Sequence, residues 1–198
     1  ASHPRRAHPR KGAAVSFSGE ERARYARHIL LKEIGGPGQQ RLKAATIAIV
    51  GVGGLGAPAA LYLAAAGVGR LRLIDDDSVS LDNLQRQIIF RTADVGAPKV
   101  ERARAVLEAL NDYVSVEIER QRLTEANAAS LLRGADVILD GTDDFETRFA
   151  VNAAARALHL AALVSGGMLV YAVSLWLLGA RPRELLLRRP GAGGRQDG

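Results

Sequence analysis

Short β-branched or aliphatic runs alternate with stretches whose apolar residues recur every three or four positions. Thr46 to Val50 is such a run, and Ala57 to Ala66 follows as an Ala/Leu segment without a charge, a helix buried against a sheet. Leu71 to Asp75 reads as the second strand. Val100, Ala103, Leu107 and Leu110 recur at helical spacing, with Pro98 suited to the first helical position. Val114 to Glu119 alternates as a strand, Thr124 to Arg133 reads as a helix, Val137 to Asp140 as a strand, and Asp144 to Leu158 as a helix containing Phe145 and Phe149. Nearer the N-terminus, Ser18 and Glu21 form a capping box that opens a helix through about Glu33, stopped by Gly35-Gly36-Pro37-Gly38. Repeated βαβ order predicts an α/β fold: a doubly wound, largely parallel sheet of Rossmann type with an N-terminal helical arm.

Composition narrows this picture in three places. The net charge of +6 divides into +4 for residues 1–11 and +3 for residues 181–198, leaving −1 for the body between them. The basic excess therefore belongs to two tails, expected as a disordered arm over 1–17 and an irregular tail over 179–198, with nucleic-acid binding by them the less favoured alternative. The unit between, 18–178, is expected to be one nucleotide-binding domain. With no cysteine in the chain, disulfides, thiolate metal sites and a cysteine nucleophile are excluded for it, and no zinc is expected. Arg5, Arg6, Arg10 and Lys11 have no apolar run behind them, so a cytoplasmic location is expected. The uncharged stretch from Ala157 to Ala180 has the length of a membrane span, but Ser165-Gly166-Gly167 divides it into LAALVS and MLVYAVSLWLL, read as two buried strands.

Candidate chemistry gathers at the predicted strand ends. Gly51, Gly53 and Gly56 satisfy G-x-G-x-x-G between a strand and a helix, with Gly54 as a fourth glycine; backbone amides and a helix N-terminus there suit phosphate. Asp75 ends the second strand, where a carboxylate holds a ribose hydroxyl. Asp76 and Asp77 suit a solvated turn. Asn83, Arg86 and Gln87 follow closely; Arg86 is equally suited to the surface or, as a phosphate ligand, to offering a two-pronged cation to developing negative charge. Lys99 opposes the dipole of the helix it opens; a phosphate would remove that penalty, and a chance surface lysine is the alternative. Asp143 and Asp144 precede a helix at the end of the VILD strand. One suffices for an N-cap, and a carboxylate there also suits Mg²⁺. With no obvious side-chain nucleophile, the attacking group should belong to the substrate of a nucleotide-dependent reaction.

The motifs RYARHILL, GVGGLG, LYLAAAGVG, LIDDDSVSLDNLQRQ, VGAPK and LDGTDDFETR occur in order between about Arg24 and Gly166. In this the chain resembles the adenylyltransferases of the MoeB/ThiF type, relatives of ubiquitin-activating enzymes. The resemblance implies adenylylation of the C-terminal glycine of a ubiquitin-like sulfur-carrier protein ending in Gly-Gly, with consumption of MgATP and release of pyrophosphate. Carried over by position, Gly54 contacts the nucleotide, Asp75 the ribose, Asn83, Arg86 and Lys99 the phosphates, and Asp143 magnesium. Arg27 resembles an arginine that reaches a neighbouring subunit's site, which implies a homodimer. The lack of cysteine points to the molybdopterin-synthase branch.

Departures from the family pattern set the alternatives. The two Cys-x-x-Cys pairs usual in that family are absent, the pattern fades after Ser165-Gly166, and the ending from about Leu178 resembles no family element. This leads to the expectation of a truncated or frame-shifted product, and hence to a competing reading as a nucleotide-binding fragment without turnover. Asp144 stands where the family usually has Asn. A tRNA-modifying adenylating dehydratase and an NAD-linked oxidoreductase are the remaining alternatives.

Overall fold

The computed structural model describes residues 16–158 and, for its backbone, 161–164. Five parallel strands, β1 (Thr46–Val50), β2 (Arg70–Ile74), β3 (Ser115–Glu119), β4 (Val137–Asp140) and β5 (Ala161–Val164), form one sheet in the order β3-β2-β1-β4-β5. Strand β5 is the predicted LAALVS; the predicted MLVYAVSLWLL strand and the two tails lie outside the described residues, apart from Ser16 and Phe17.

Side chains alternate across the sheet, so β1, β2 and β4 each feed two cores. Ile47, Ile49, Leu71, Leu73 and Leu139 pack with Leu63 of α4 (Gly56–Ala66) and with Val100, Ala103 and Leu107 of α5 (Lys99–Leu110). Ala48, Val50, Ile74 and Ile138 face the opposite way, onto Leu131 and Leu132 of α6 (Glu125–Leu132) and Val151 and Ala154 of α7 (Phe145–Ala157). The uncharged helix α4 is buried along one side only: Ala57, Ala60 and Ala64 are buried while Tyr62 is exposed. Among the described residues no helix is long and apolar enough to cross a membrane.

The N-terminal arm departs from its sequence pattern. The Ser18–Glu21 capping box forms as expected, but the predicted single helix breaks at Tyr25 into α1 (Gly19–Arg24) and α2 (Ala26–Leu30). Tyr25 turns inward because its hydroxyl accepts from Asn111 Nδ2 at 2.8 Å, a partner far away in sequence. The Gly35-Gly36-Pro37-Gly38 cluster opens α3 (Gly35–Ala44) instead of closing a helix. In a first turn the missing N–H of Pro37 has no carbonyl to find, so proline costs little there.

The connection from β2 to α5 is long and irregular, and it carries most of the candidate residues. It folds through short 3₁₀ turns at Leu81–Asn83 and Thr92–Asp94, buries Val79, Ile89 and Phe90, and returns by pairing Ser78 with Pro98. Its return places Lys99 at the start of α5, beside the end of β2.

Candidate functional site

The carboxyl ends of parallel strands open onto one cleft of about 700 Å³, where doubly wound folds place their ligands. Gly51, Gly53, Gly54, Asp75, Asn83, Arg86, Gln87, Lys99, Asp143 and Asp144 all line it. Two nominated residues do not. Gly56 is buried behind the turn: a Cβ there would lie 1.8 Å from Gly51 O, so its role is close helix–strand packing. Arg27 is exposed on α2 and is absent from the cleft lining.

The glycine turn is held by Asp75. Gly51 adopts φ +84°, which a residue with a side chain rarely takes, and Val52 N–H then donates to Asp75 Oδ2 at 2.6 Å. Asp75 Oδ1 accepts from Asp77 N–H at 2.8 Å. Burial raises the Asp75 pKa above its ordinary 3.8, against the lowering effects of these two amides and of Lys99. One carboxylate thus joins the phosphate-type turn to the β2 wall.

Lys99 is buried, 4% exposed, and its Nζ lies 2.7 Å from Asp77 Oδ2. The anion that offsets a lysine at a helix start is therefore supplied by this chain. Asp77 is no idle member of a solvated turn, which corrects the sequence expectation: the path of the β2–α5 connection brings it onto Lys99. Asp75, Asp76 and Asp77 present carboxylate oxygens within 4.8 Å of one another, a cluster with metal-binding spacing. Two of the three are already committed, Asp75 to backbone amides and Asp77 to Lys99. Asp143 is the better hard donor, exposed and without a hydrogen bond among the described residues.

Arg86 lies over the glycine turn, its Cδ 3.4 Å from where a Cβ of Gly54 would stand, and it donates from Nη1 to Asp82 O at 3.2 Å. Gln87 is buried with its Nε2 toward Gly53, and its Oε1 has no hydrogen-bond partner. Asn83 is half-buried and donates from Nδ2 to Asp82 Oδ1 at 3.4 Å.

The β4 wall joins Asp144, expected as a helix cap, to groups the sequence did not single out, among them Thr147, Arg148 and Arg122. Asp144 caps α7, accepting at Oδ2 from Thr147 N–H at 3.1 Å and from Thr147 Oγ1 at 2.6 Å, and pairs through the same oxygen with Arg122 Nη2 at 2.9 Å. Those Thr147 bonds first, then Arg122, hold its pKa down to about 2. Arg148 donates through Nε and Nη2 to Thr142 O, bracing the loop that bears Asp143. The signal that singled out Lys99, a cation near a helix start, was equally present at Arg148. Arg122 and Gln121 line the cleft from the loop after β3, and nothing in their local sequence indicated it.

The family model described as "ThiF family" matches residues 25–182. Probable adenylyltransferase/sulfurtransferase MoeZ of Mycobacterium tuberculosis is 49% identical over 142 residues, which cover 72% of this chain and 36% of that protein. Sulfur carrier protein adenylyltransferase of Thermus thermophilus is 48% identical over 141 residues, covering 71% of this chain and 52% of that one. The chain thus spans about a third to a half of these curated relatives. Among solved structures, E. coli tRNA N6-threonylcarbamoyladenosine dehydratase, TcdA, in complex with ATP aligns with a TM-score of 0.73 and 30% identity, over 77% of this chain and 63% of that chain.

Proposed function

This chain belongs to the ThiF family, and from that premise we propose that it adenylylates the C-terminal glycine carboxylate of a ubiquitin-like sulfur-carrier protein at the expense of ATP. The observation that carries this reading is the pairing of a buried cation, Lys99, with a glycine turn and an exposed carboxylate, Asp143, in one cleft. The relatives' names, adenylyltransferase/sulfurtransferase and sulfur carrier protein adenylyltransferase, agree with it, as does the ATP held by the TcdA structure.

The proposed chemistry needs no nucleophile from the protein. A carrier carboxylate oxygen attacks the α-phosphorus of ATP, the bond to the bridging oxygen breaks, and pyrophosphate leaves with the electron pair. Asp75 accepts from the ribose, and the Gly51–Gly54 amides, Asn83 and Gln87 orient the phosphates. Arg86 and Lys99 stabilise the negative charge that grows on the phosphoryl oxygens and on the leaving group. Asp143 would hold Mg²⁺, which when bound neutralises phosphate charge. Among the described residues the cleft is lined by neither histidine nor cysteine, and of its hydroxyls those of Ser80, Thr142 and Thr147 already donate to carboxylates, leaving Ser78. Arg27 is assigned to the site of a second copy in a homodimer, for which its exposure on α2 suits it.

Pyrophosphate exchange into ATP, measured with a panel of purified carriers ending in Gly-Gly and beginning with that of molybdopterin synthase, tests the reading. Exchange should depend on a carrier, vanish in Asp143→Ala and fall by about 10²–10³ in Arg86→Ala. Full exchange in both variants would sink the site assignment. A second reading, a tRNA-base modification like that named for TcdA, is favoured by the structural likeness alone; exchange driven by tRNA instead of by any carrier would establish it.

A further inference from the structure

Asp143 and Asp144 stand side by side at the end of β4, and only one of them is assigned to a cation. Asp144 caps α7, a task that needs an oxygen acceptor but no charge, since Asn serves an N-cap as well as Asp. Its negative charge therefore acts against a triphosphate at the same rim. Arg122 offsets it from across the cleft mouth, with Nη2 2.9 Å from Asp144 Oδ2. The Arg122 backbone is held without this pair: Asn127 Nδ2 donates to Arg122 O at 2.9 Å, and neighbouring Leu123 is buried. The Arg122 side chain is 58% exposed, so the pair adds little to folding stability. What it changes is the charge of the rim.

We propose that Arg122 is a positioning residue that neutralises Asp144, so that the β4 rim presents one uncompensated carboxylate, Asp143, to the incoming metal-bound triphosphate. The proposal rests on MgATP being the ligand of the cleft. Its effect follows ligand charge. Arg122→Ala weakens MgATP binding by about tenfold, the influence of one uncompensated charge a few ångströms away near a surface, and leaves adenosine binding as it was. Asp144→Asn keeps the cap, removes the charge and tightens MgATP about twofold to fourfold, less than the loss above because the freed, exposed Arg122 is screened by solvent. Joined, the two substitutions return MgATP affinity to within about threefold of the parent protein.

Calorimetric titration of MgATP and of adenosine into the parent, the two single variants and the double variant tests this. Melting temperatures are checked first, and Arg122→Lys serves as the conservative control, expected to keep most of the affinity. A matching loss of adenosine affinity in Arg122→Ala, no loss of MgATP affinity in it, or no recovery on adding Asp144→Asn would each overturn the proposal. If the parent binds no MgATP, the nucleotide reading itself falls and takes this proposal with it. That outcome is recognisable because it precedes any substitution.

Discussion

The two walls of the cleft hold their charges in opposite ways. On the β2 side the cation is fixed and its partner faces water: side-chain exposure is 6% for Lys99 and 66% for Asp77. On the β4 side the anion is fixed by a helix cap, at 33%, and its arginine reaches through solvent, at 58%. A buried charge deprived of its partner is costly, whereas a solvated partner leaves cheaply. Under the proposed function an arriving phosphate would replace Asp77 at Lys99, whereas Asp144 would stay on its helix. On that reading one wall would exchange anions and the other would keep its own.

The strongest way to break this contrast is to remove the fixed cation. Lys99→Met keeps the buried stem's volume and takes away the charge. Carrier-dependent pyrophosphate exchange should fall by about 10²–10³, while stability in denaturant stays within about 1 kcal/mol, because the carboxylate left behind is already solvated. Retained exchange would mean that the buried lysine does not serve the nucleotide. Asp77→Asn probes the same pair from its solvated end. The protein without nucleotide should lose about 1–2 kcal/mol in denaturant melts, since a buried ammonium is left with only a neutral partner. Added MgATP should then raise its melting temperature by more than in the parent. Equal stability with and without the carboxylate would remove the idea of a replaceable counter-ion.

The smallest effect is a pH dependence that sharpens the comparison. Burial raises the Asp75 pKa above its ordinary 3.8, so the folded chain takes up this proton more readily than the unfolded one. The group's contribution to stability therefore increases as pH falls from its folded pKa toward about 3.8 and is lower again at neutral pH. Ribose binding needs the ionised acceptor, so MgATP affinity should decline on acidification while the pH is still above the usual aspartate range. Asp144, held down to about 2, behaves in the reverse sense: the stability it adds is present above about 4 and is lost only as pH falls through about 2. Titrations at stepped pH should show the same acid limb in the parent and in Asp144→Asn. A limb that moves with Asp144→Asn would assign the proton to the wrong wall.

Much of this cleft was legible in the sequence because one topological rule does most of the placing. Parallel strands with right-handed crossovers carry their following loops to the same edge, so Gly51, Asp75 and Asp143, each just past a strand, had to meet. Lys99 was legible for a different reason, a local conflict between its charge and its helix. Asp77 and Arg122 were not singled out, because their roles depend on partners set by loop paths that no periodicity encodes; Arg148 carried the same local signal as Lys99, a cation near a helix start, and was passed over. The break at Tyr25 escaped notice in the same way, since it answers to Asn111 across the fold. Gly35-Gly36-Pro37-Gly38 punctuates a helix end in either direction, and only the packing of α3 decides which.

Tyr25 also ties the N-terminal arm to the body of the sheet domain. A Cβ on Gly67 would stand 2.5 Å from the Tyr25 ring, and Asn111 Nδ2 donates both to the Tyr25 hydroxyl and to Ala64 O. His28 Nδ1 lies 3.0 Å from Gln39 Oε1, and Gln39 Nε2 donates to Ala66 O at 2.7 Å, a second link to the same end of α4. An expression boundary drawn at β1, where the Rossmann pattern starts, would pull a stopper from its seat and leave the Gly67 hollow open to water. Any graft of this domain onto another carrier should bring α1 and α2 with it, together with Ser16 and Phe17, which touch Lys43 and Tyr25.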